Sequence, residues 1–231
     1  MNRKRPVSPA GRPWSRAGVV LLALNAIQWI AAEAITASAW AEPPYSYATN
    51  YISDLGVPDC GSQFQGRDLC SPLHPLMNAS FAVEGILFAI AVALLARSLS
   101  SGRRVAVTIL AIAHGAGMVA VGLFHGSAEG PDFGLALHVA GAGIGILCAN
   151  TIVMLAGLLR GLGLPTGYRV FSVAIGAAGL VGIALVGISP DTAGIFERSS
   201  VYSWLAWGLV TCAMALVHRA GRGRSPLGGR G

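Results

Sequence analysis

Six stretches of this chain are long and apolar enough to cross a lipid bilayer, and that property limits the fold more than any motif does. About 20 residues rising 1.5 Å each span the hydrocarbon core, where every backbone polar group must find a partner within the protein. An α-helix meets both demands by itself. The runs cover 17–40, 75–96, 105–124, 133–159, 170–188 and 200–217, so the expected fold is all-α, a polytopic membrane bundle of about six helices. Composition agrees: 54% of the 231 residues are hydrophobic and 11% are charged, where an average soluble domain has roughly 25% charged. The 31 glycines suit helices that pack closely in lipid, because small residues let two backbones approach.

Charge orients the runs. With the N-terminus inside, Arg3, Lys4, Arg5, Arg12 and Arg16 are cytoplasmic. Arg97, Arg103 and Arg104 follow in the next inner connection, Arg160 and Arg169 in the one after, and Arg219, Arg222, Arg224 and Arg230 in the tail. Fourteen of the sixteen basic residues thus lie inside, and only Arg67 and Arg198 lie outside. This is the asymmetry of the positive-inside rule, so the expected topology places both termini in the cytoplasm. The domain reading is a basic N-terminus at 1–16, a six-helix unit at 17–218 and a basic, disordered tail at 219–231. The +6 charge is explained by topology and not by nucleic acid; its functional alternative is anionic lipid held by the inner arginines. A second alternative concerns the first run, whose basic flank and small residues at Ala37-Ser38-Ala39 or Ala39-Trp40-Ala41 imitate a cleavable signal peptide. Against it, the run is long for such a segment and carries Asn25, Gln28 and Glu33.

The longest polar segment is the outer loop at 41–74. It shows no helix or strand pattern, and 34 residues exceed the length at which structureless connections become uncommon, so an ordered or functional loop is expected. Cys60 and Cys70 both fall in it, outside the reducing cytoplasm, and a disulfide is the expected state. Cys148 and Cys212 lie within helices as small core residues.

Two blocks of this region carry a resemblance. Asn50-Tyr51-Ile52-Ser53-Asp54-Leu55-Gly56, followed by Cys70-Ser71-Pro72-Leu73-His74-Pro75-Leu76-Met77-Asn78, resembles the bacterial and archaeal membrane family named domain of unknown function 998. The Ile-Ser-Asp-Leu-Gly element is also remotely similar to the six-helix FRAG, DRAM and Sfk membrane proteins. The resemblance implies six helices and this outer motif and no reaction; the expected location is the bacterial cytoplasmic membrane. In physical terms Asn50, Ser53 and Asp54 can hydrogen-bond nearby backbone and Gly56 can take unusual φ, which describes a capped turn. The same residues could instead present Asp54 to a cleft between helices.

Ionisable groups at membrane depth add candidates. Glu33 lies about 10 Å from the outer end of its run and Glu84 about 13 Å, so neither carboxylate faces lipid without a cost of a few kcal/mol. Glu84 shares a helical face with Met77 and Ser80, whereas Asn78 shares one with His74; Glu33 neighbours Trp29, and Asn25 pairs with Gln28. His114 and His125 lie on one face of the third run, and His138 heads the Gly141 and Gly145 stripe of the fourth. With His74, and with Glu129 and Asp132 between those runs, the outer side holds the residue types of a divalent metal site, for which His74, His125 and His138 are the candidates. Satisfied structural histidines are the competing reading, and Glu197-Arg198 reads as an ion pair capping the last run. No P-loop, dinucleotide fingerprint or nucleophile elbow occurs, and no motif requires a cofactor.

Three function classes follow. The favoured one binds a lipid or small amphiphile at an outward-facing site built from Glu33, Asn50, Ser53, Asp54, His74, Asn78 and Glu84. The second is a membrane-embedded hydrolase or transferase with Asp54, Glu84, His125 and His138 as catalytic candidates. The third is a small proton-coupled transporter using Glu33 and Glu84, which needs a polar path past His114 toward the cytoplasm.

Overall fold

A computed structural model describes residues 15–40, 42–58, 60–64, 67–125 and 133–223. Six helices occur among them: α1 (Arg16–Ser38), α2 (His74–Ala96), α3 (Ser101–Leu123), α4 (Phe133–Leu158), α5 (Thr166–Leu185) and α6 (Ala193–Gly223). All six are long and apolar enough to cross a membrane. The chain is a multi-pass membrane protein.

Local chemistry sets most of the ends. Ser15 caps α1 by accepting the Gly18 N–H, and Pro75 occupies the first turn of α2, where a missing N–H costs nothing. The largest departure from the hydropathy reading is α6, which starts at Ala193, seven residues before the expected 200. Its first two turns carry Glu197 and Arg198, which depress hydropathy but are satisfied inside the protein.

The helices form a closed ring. Each packs on its sequence neighbour, α6 returns to α1, and α4 also reaches α6 across the middle. Glycines set the closest approaches. A Cβ on Gly85 would lie 2.7 Å from the Gly115 carbonyl oxygen of α3, and one on Gly117 would lie 2.5 Å from the Gly141 carbonyl oxygen of α4. Backbone therefore meets backbone at both seams, as the small-residue stripe implied. The outer surface of the bundle is apolar, with Ile109, Ile112, Val139 and Leu216 at least half exposed, while Glu33, Glu84, His114 and Asn150 are buried. A polar interior under an apolar exterior is what lipid as solvent selects.

The connection between α1 and α2 is ordered and, contrary to the sequence reading, contains regular structure. A 3₁₀ turn (Ser53–Gly56) is followed by a hairpin of β1 (Ser62–Phe64) and β2 (Arg67–Leu69), paired antiparallel with Ser62 opposite Leu69. Strands this short carry too few residues for a visible alternation. The Cys60–Cys70 disulfide closes the base of the hairpin, where the Gly61 N–H also donates to the Leu69 carbonyl. Glu129, Asp132 and the chain at 1–14 and 224–231 lie outside the described residues.

Candidate functional site

The two blocks that carry the family resemblance are one structural unit. Asp54 accepts the Tyr51 N–H at 2.9 Å and takes a two-pronged contact from Arg67, Nε at 2.8 Å and Nη2 at 2.9 Å. Arg67 also lies 4.2 Å above the Tyr51 ring. Burial works against the Arg67 charge, and the Asp54 hydrogen bond and charge outweigh it, so the guanidinium is held above its ordinary range. Asn50 contributes at both ends: Nδ2 donates to Asp54 and Oδ1 accepts the Ser46 N–H. The second block clamps this turn. Ser71 Oγ donates to the Leu55 carbonyl at 2.6 Å, and Asn78 Nδ2 donates to the Gly56 carbonyl at 2.8 Å. His74 turns back to the Ser71 carbonyl at 3.0 Å. At Gly56 a Cβ would collide with the Asn78 amide, which is why the turn ends in glycine. Asp54 thus sits in a capped turn locked by Arg67, a partner from the hairpin that sequence spacing did not suggest.

Beneath the turn, Arg198 of α6 joins the loop to the bundle. Its Nε donates to Glu33 Oε1 at 3.0 Å, and its Nη1 reaches the carbonyls of Tyr47, Asn50 and Gly194 at 2.8, 2.9 and 3.2 Å. Its Nη2 donates to the Tyr45 hydroxyl, which in turn donates to the Tyr51 carbonyl. Burial raises the Tyr45 pKa although Arg198 opposes it, so the phenol keeps its proton and serves as acceptor and donor at once. Glu33 is completed by the Trp29 indole at 3.2 Å and the Tyr202 hydroxyl at 2.9 Å. The expected Glu197–Arg198 cap is therefore not formed. Both residues sit inside α6, Arg198 pairs with Glu33 of α1, and Glu197 accepts the Ile52 N–H of the turn.

Glu84 belongs to a different network. It is fully buried with His114 of α3, whose Nε2 lies 3.0 Å from Oε2, while Asn25 of α1 and Trp204 of α6 each donate to Oε1 at 3.0 Å. His114 Nδ1 lies 2.9 Å from the Gly145 carbonyl, an acceptor, so Nδ1 carries a proton. A bare Nε2 would oppose the carboxylate lone pairs, so one further proton is shared between the two groups and the pair is neutral overall. Gln28, expected beside Asn25, instead exchanges hydrogen bonds with Ser80. Asn150 of α4 donates to the Ser200 carbonyl and accepts from Ser203, and Tyr168 of α5 donates to Thr211 at 2.8 Å. Apart from the Gln28–Ser80 pair, each of these clusters ends on α6.

The catalytic candidates divide accordingly. Asp54 is held by Arg67, His138 turns to the Phe124 carbonyl, and Glu84 is committed to His114. His138 Nδ1 contacts the Phe124 carbonyl at 2.6 Å, so that nitrogen carries a proton. Among the described residues no three His, Cys, Asp or Glu are grouped to hold a metal ion.

A cavity lies where the turn rests on the bundle. It offers roughly 30 Å³, room for one or two waters by size, with walls from Trp29, Phe81, Met118, Ile146 and Val201. Three polar side chains reach it: Ser53 from the turn, His138 from α4 and Glu197 from α6. Glu197 and Arg198 are the residues that sequence reasoning placed wrongly, and charged residues in what is now the first turns of a membrane helix were the available signal.

A family model described as protein of unknown function (DUF998) matches residues 23–214. No curated protein and no solved structure matches the chain.

Proposed function

Since the chain belongs to the DUF998 family, which assigns no activity, we propose from geometry that it binds the polar end of a lipid or small amphiphile in the loop-end cavity. The observation that carries this reading is the meeting of Ser53, His138 and Glu197 in one chamber with otherwise apolar walls. Few convergent polar groups in apolar surroundings is the usual composition of a small-molecule site. Glu197 offers carboxylate oxygens and Ser53 a hydroxyl, so a hydroxyl- or amine-bearing head group suits them. The space accepts only such a head; the remainder of the ligand lies against the helices. We place the protein in the bacterial cytoplasmic membrane with both termini in the cytoplasm and the loop end outside. Support for this comes from the fourteen of sixteen basic residues that the six-span topology puts on one side.

The test is lipid analysis of protein purified in mild detergent. A co-purifying amphiphile falls severalfold in Glu197→Gln and in His138→Ala, the loss expected when one hydrogen bond, about 0.5–1.5 kcal/mol, is removed. The same lipids in the same amounts in all three proteins refute the reading. A second reading, a hydrolase or transferase, is favoured by Ser53 and His138 facing the same cavity. It requires a serine-directed phosphonate probe to label the wild type and not Ser53→Ala.

A further inference from the structure

A second cavity lies at the opposite end of the bundle, away from the site above. It offers roughly 80 Å³ between α2, α3, α4, α5 and α6, with Val92, Leu95, Val107, Leu155 and Ala156 among its walls and the Tyr168–Thr211 pair beside it. Ser98 and Leu99 of the α2–α3 connection and Leu159, Leu162 and Leu164 of the α4–α5 connection form its rim. Those two connections are strongly basic. Arg97 and Arg160 lie in them and Arg103 and Arg104 in the first turn of α3, all four exposed, and Arg103 Nη1 reaches across to the Arg160 carbonyl at 3.5 Å. Arg169 adds a fifth guanidinium, with Nε on the Gly157 carbonyl. None of the ten acidic residues falls in either connection.

An apolar chamber within the membrane thickness, opening beneath uncompensated positive charge, matches one chemistry. We propose that this cavity seats the glycerol-proximal methylenes of one acyl chain of an anionic glycerophospholipid, with its phosphate held by the rim arginines. The chamber recognises the chain and Arg103 and Arg160 recognise the charge. Neither suffices alone: arginines without a seat attract only the surface of the membrane, and a seat without arginines does not distinguish one phospholipid from another. The site shares no residue with the loop-end cavity, so either reading can fail without the other.

The experiment uses full-length protein in nanodiscs of equal phosphatidylglycerol and phosphatidylcholine with matched chains, released and examined by native mass spectrometry. Phosphatidylglycerol is expected to be retained at least fivefold over phosphatidylcholine. Arg103→Gln with Arg160→Gln brings the ratio near one, and Arg103→Lys with Arg160→Lys keeps most of it. Ala156→Trp fills the chamber, leaves every arginine in place and abolishes retention of the bound lipid. If that variant does not fold, Val107→Phe on the facing wall fills the same space. Equal retention of the two lipids by the unaltered protein overturns the proposal. A preference unchanged in a folded cavity-filling variant overturns it too, because the headgroup contact then needs no seat.

Discussion

Removing Arg198 is expected to release the loop from the bundle and to leave Glu33 as an uncompensated buried charge. In the folded protein the Glu33 side chain is 2% exposed and Arg198 9%. Arg198→Ala deletes the ion pair and the contacts to Tyr45, Tyr47, Asn50 and Gly194. Glu33 then keeps only the neutral donors Trp29 and Tyr202. Breaking one side of a buried pair costs about 3–5 kcal/mol, because the remaining charge stays desolvated. Glu33→Gln costs less, since Arg198 keeps its carbonyl acceptors. The informative variant is the double substitution, in which no carboxylate is left stranded: its cost should fall at least about 2 kcal/mol short of the sum of the singles. Unfolding can be followed in detergent with a thiol-reactive dye, because Cys148 and Cys212 are free and only partly exposed. Addition of the two single costs to within about 0.5 kcal/mol would show that the residues do not interact, and the ion pair would have to be abandoned. Arg198→Lys separates charge from geometry. A lysine keeps the charge but not the planar fork, so the bundle should stay folded while the Cys60–Cys70 disulfide becomes faster to reduce.

Other substitutions test other parts. His114→Ala should destabilise the protein by about 3–5 kcal/mol by leaving Glu84 with only the neutral donors Asn25 and Trp204, and adding Glu84→Gln should recover part of that; a folded single variant of unchanged thermal stability would refute the Glu84–His114 pair. Gly117→Val should force α3 from α4 at a cost of several kcal/mol, read as a lower unfolding temperature in detergent, whereas Gly102→Val, where nothing lies within 4 Å, should change little. Burial raises the phenol pKa values of Tyr45 and Tyr51, so the folded loop holds these protons more tightly than the unfolded chain does. Their stabilisation is complete below the ordinary value of 10.0 and is lost as pH rises above it; ultraviolet phenolate absorbance should lag in the native protein and appear together with loop opening.

Hydropathy located the membrane spans because crossing a bilayer is a local requirement, written in about 20 consecutive residues. Pairing is not local, and here the reading was weaker. Glu84 was grouped with Asp54, His125 and His138, yet it joins His114. Depth could have found this pair: Glu84 stands ten residues into α2 from the loop end and His114 nine residues from that end of α3, which the helical rise places at about 15 and 14 Å. Glu33 and Arg198 each stand five residues from the same end of their helices, at about 8 Å, once α6 is known to start at Ala193. That start was hidden because a buried charged pair lowers local hydropathy as much as an exposed one. The role of Asp54 as a cap was among the alternatives visible in Asn50–Gly56. Arg67, its partner, was not, since it depends on a hairpin of three-residue strands.

Glu33 and Arg198 are 165 residues apart, and Asn150 and Trp204 likewise wait for or belong to the same final helix. A ribosome makes α1 and α2 long before α6, so Glu33 enters the membrane before Arg198 and Tyr202 exist, and Glu84 before Trp204 does. Early helices must therefore be retained at the insertion machinery or enter with Glu33 and Glu84 protonated, to be settled only when α6 arrives. A chain stopped before Ala193 would present unpaired polar groups to lipid, the kind of defect that membrane proteases remove. For this protein the polar interior is completed only when α6 has been made.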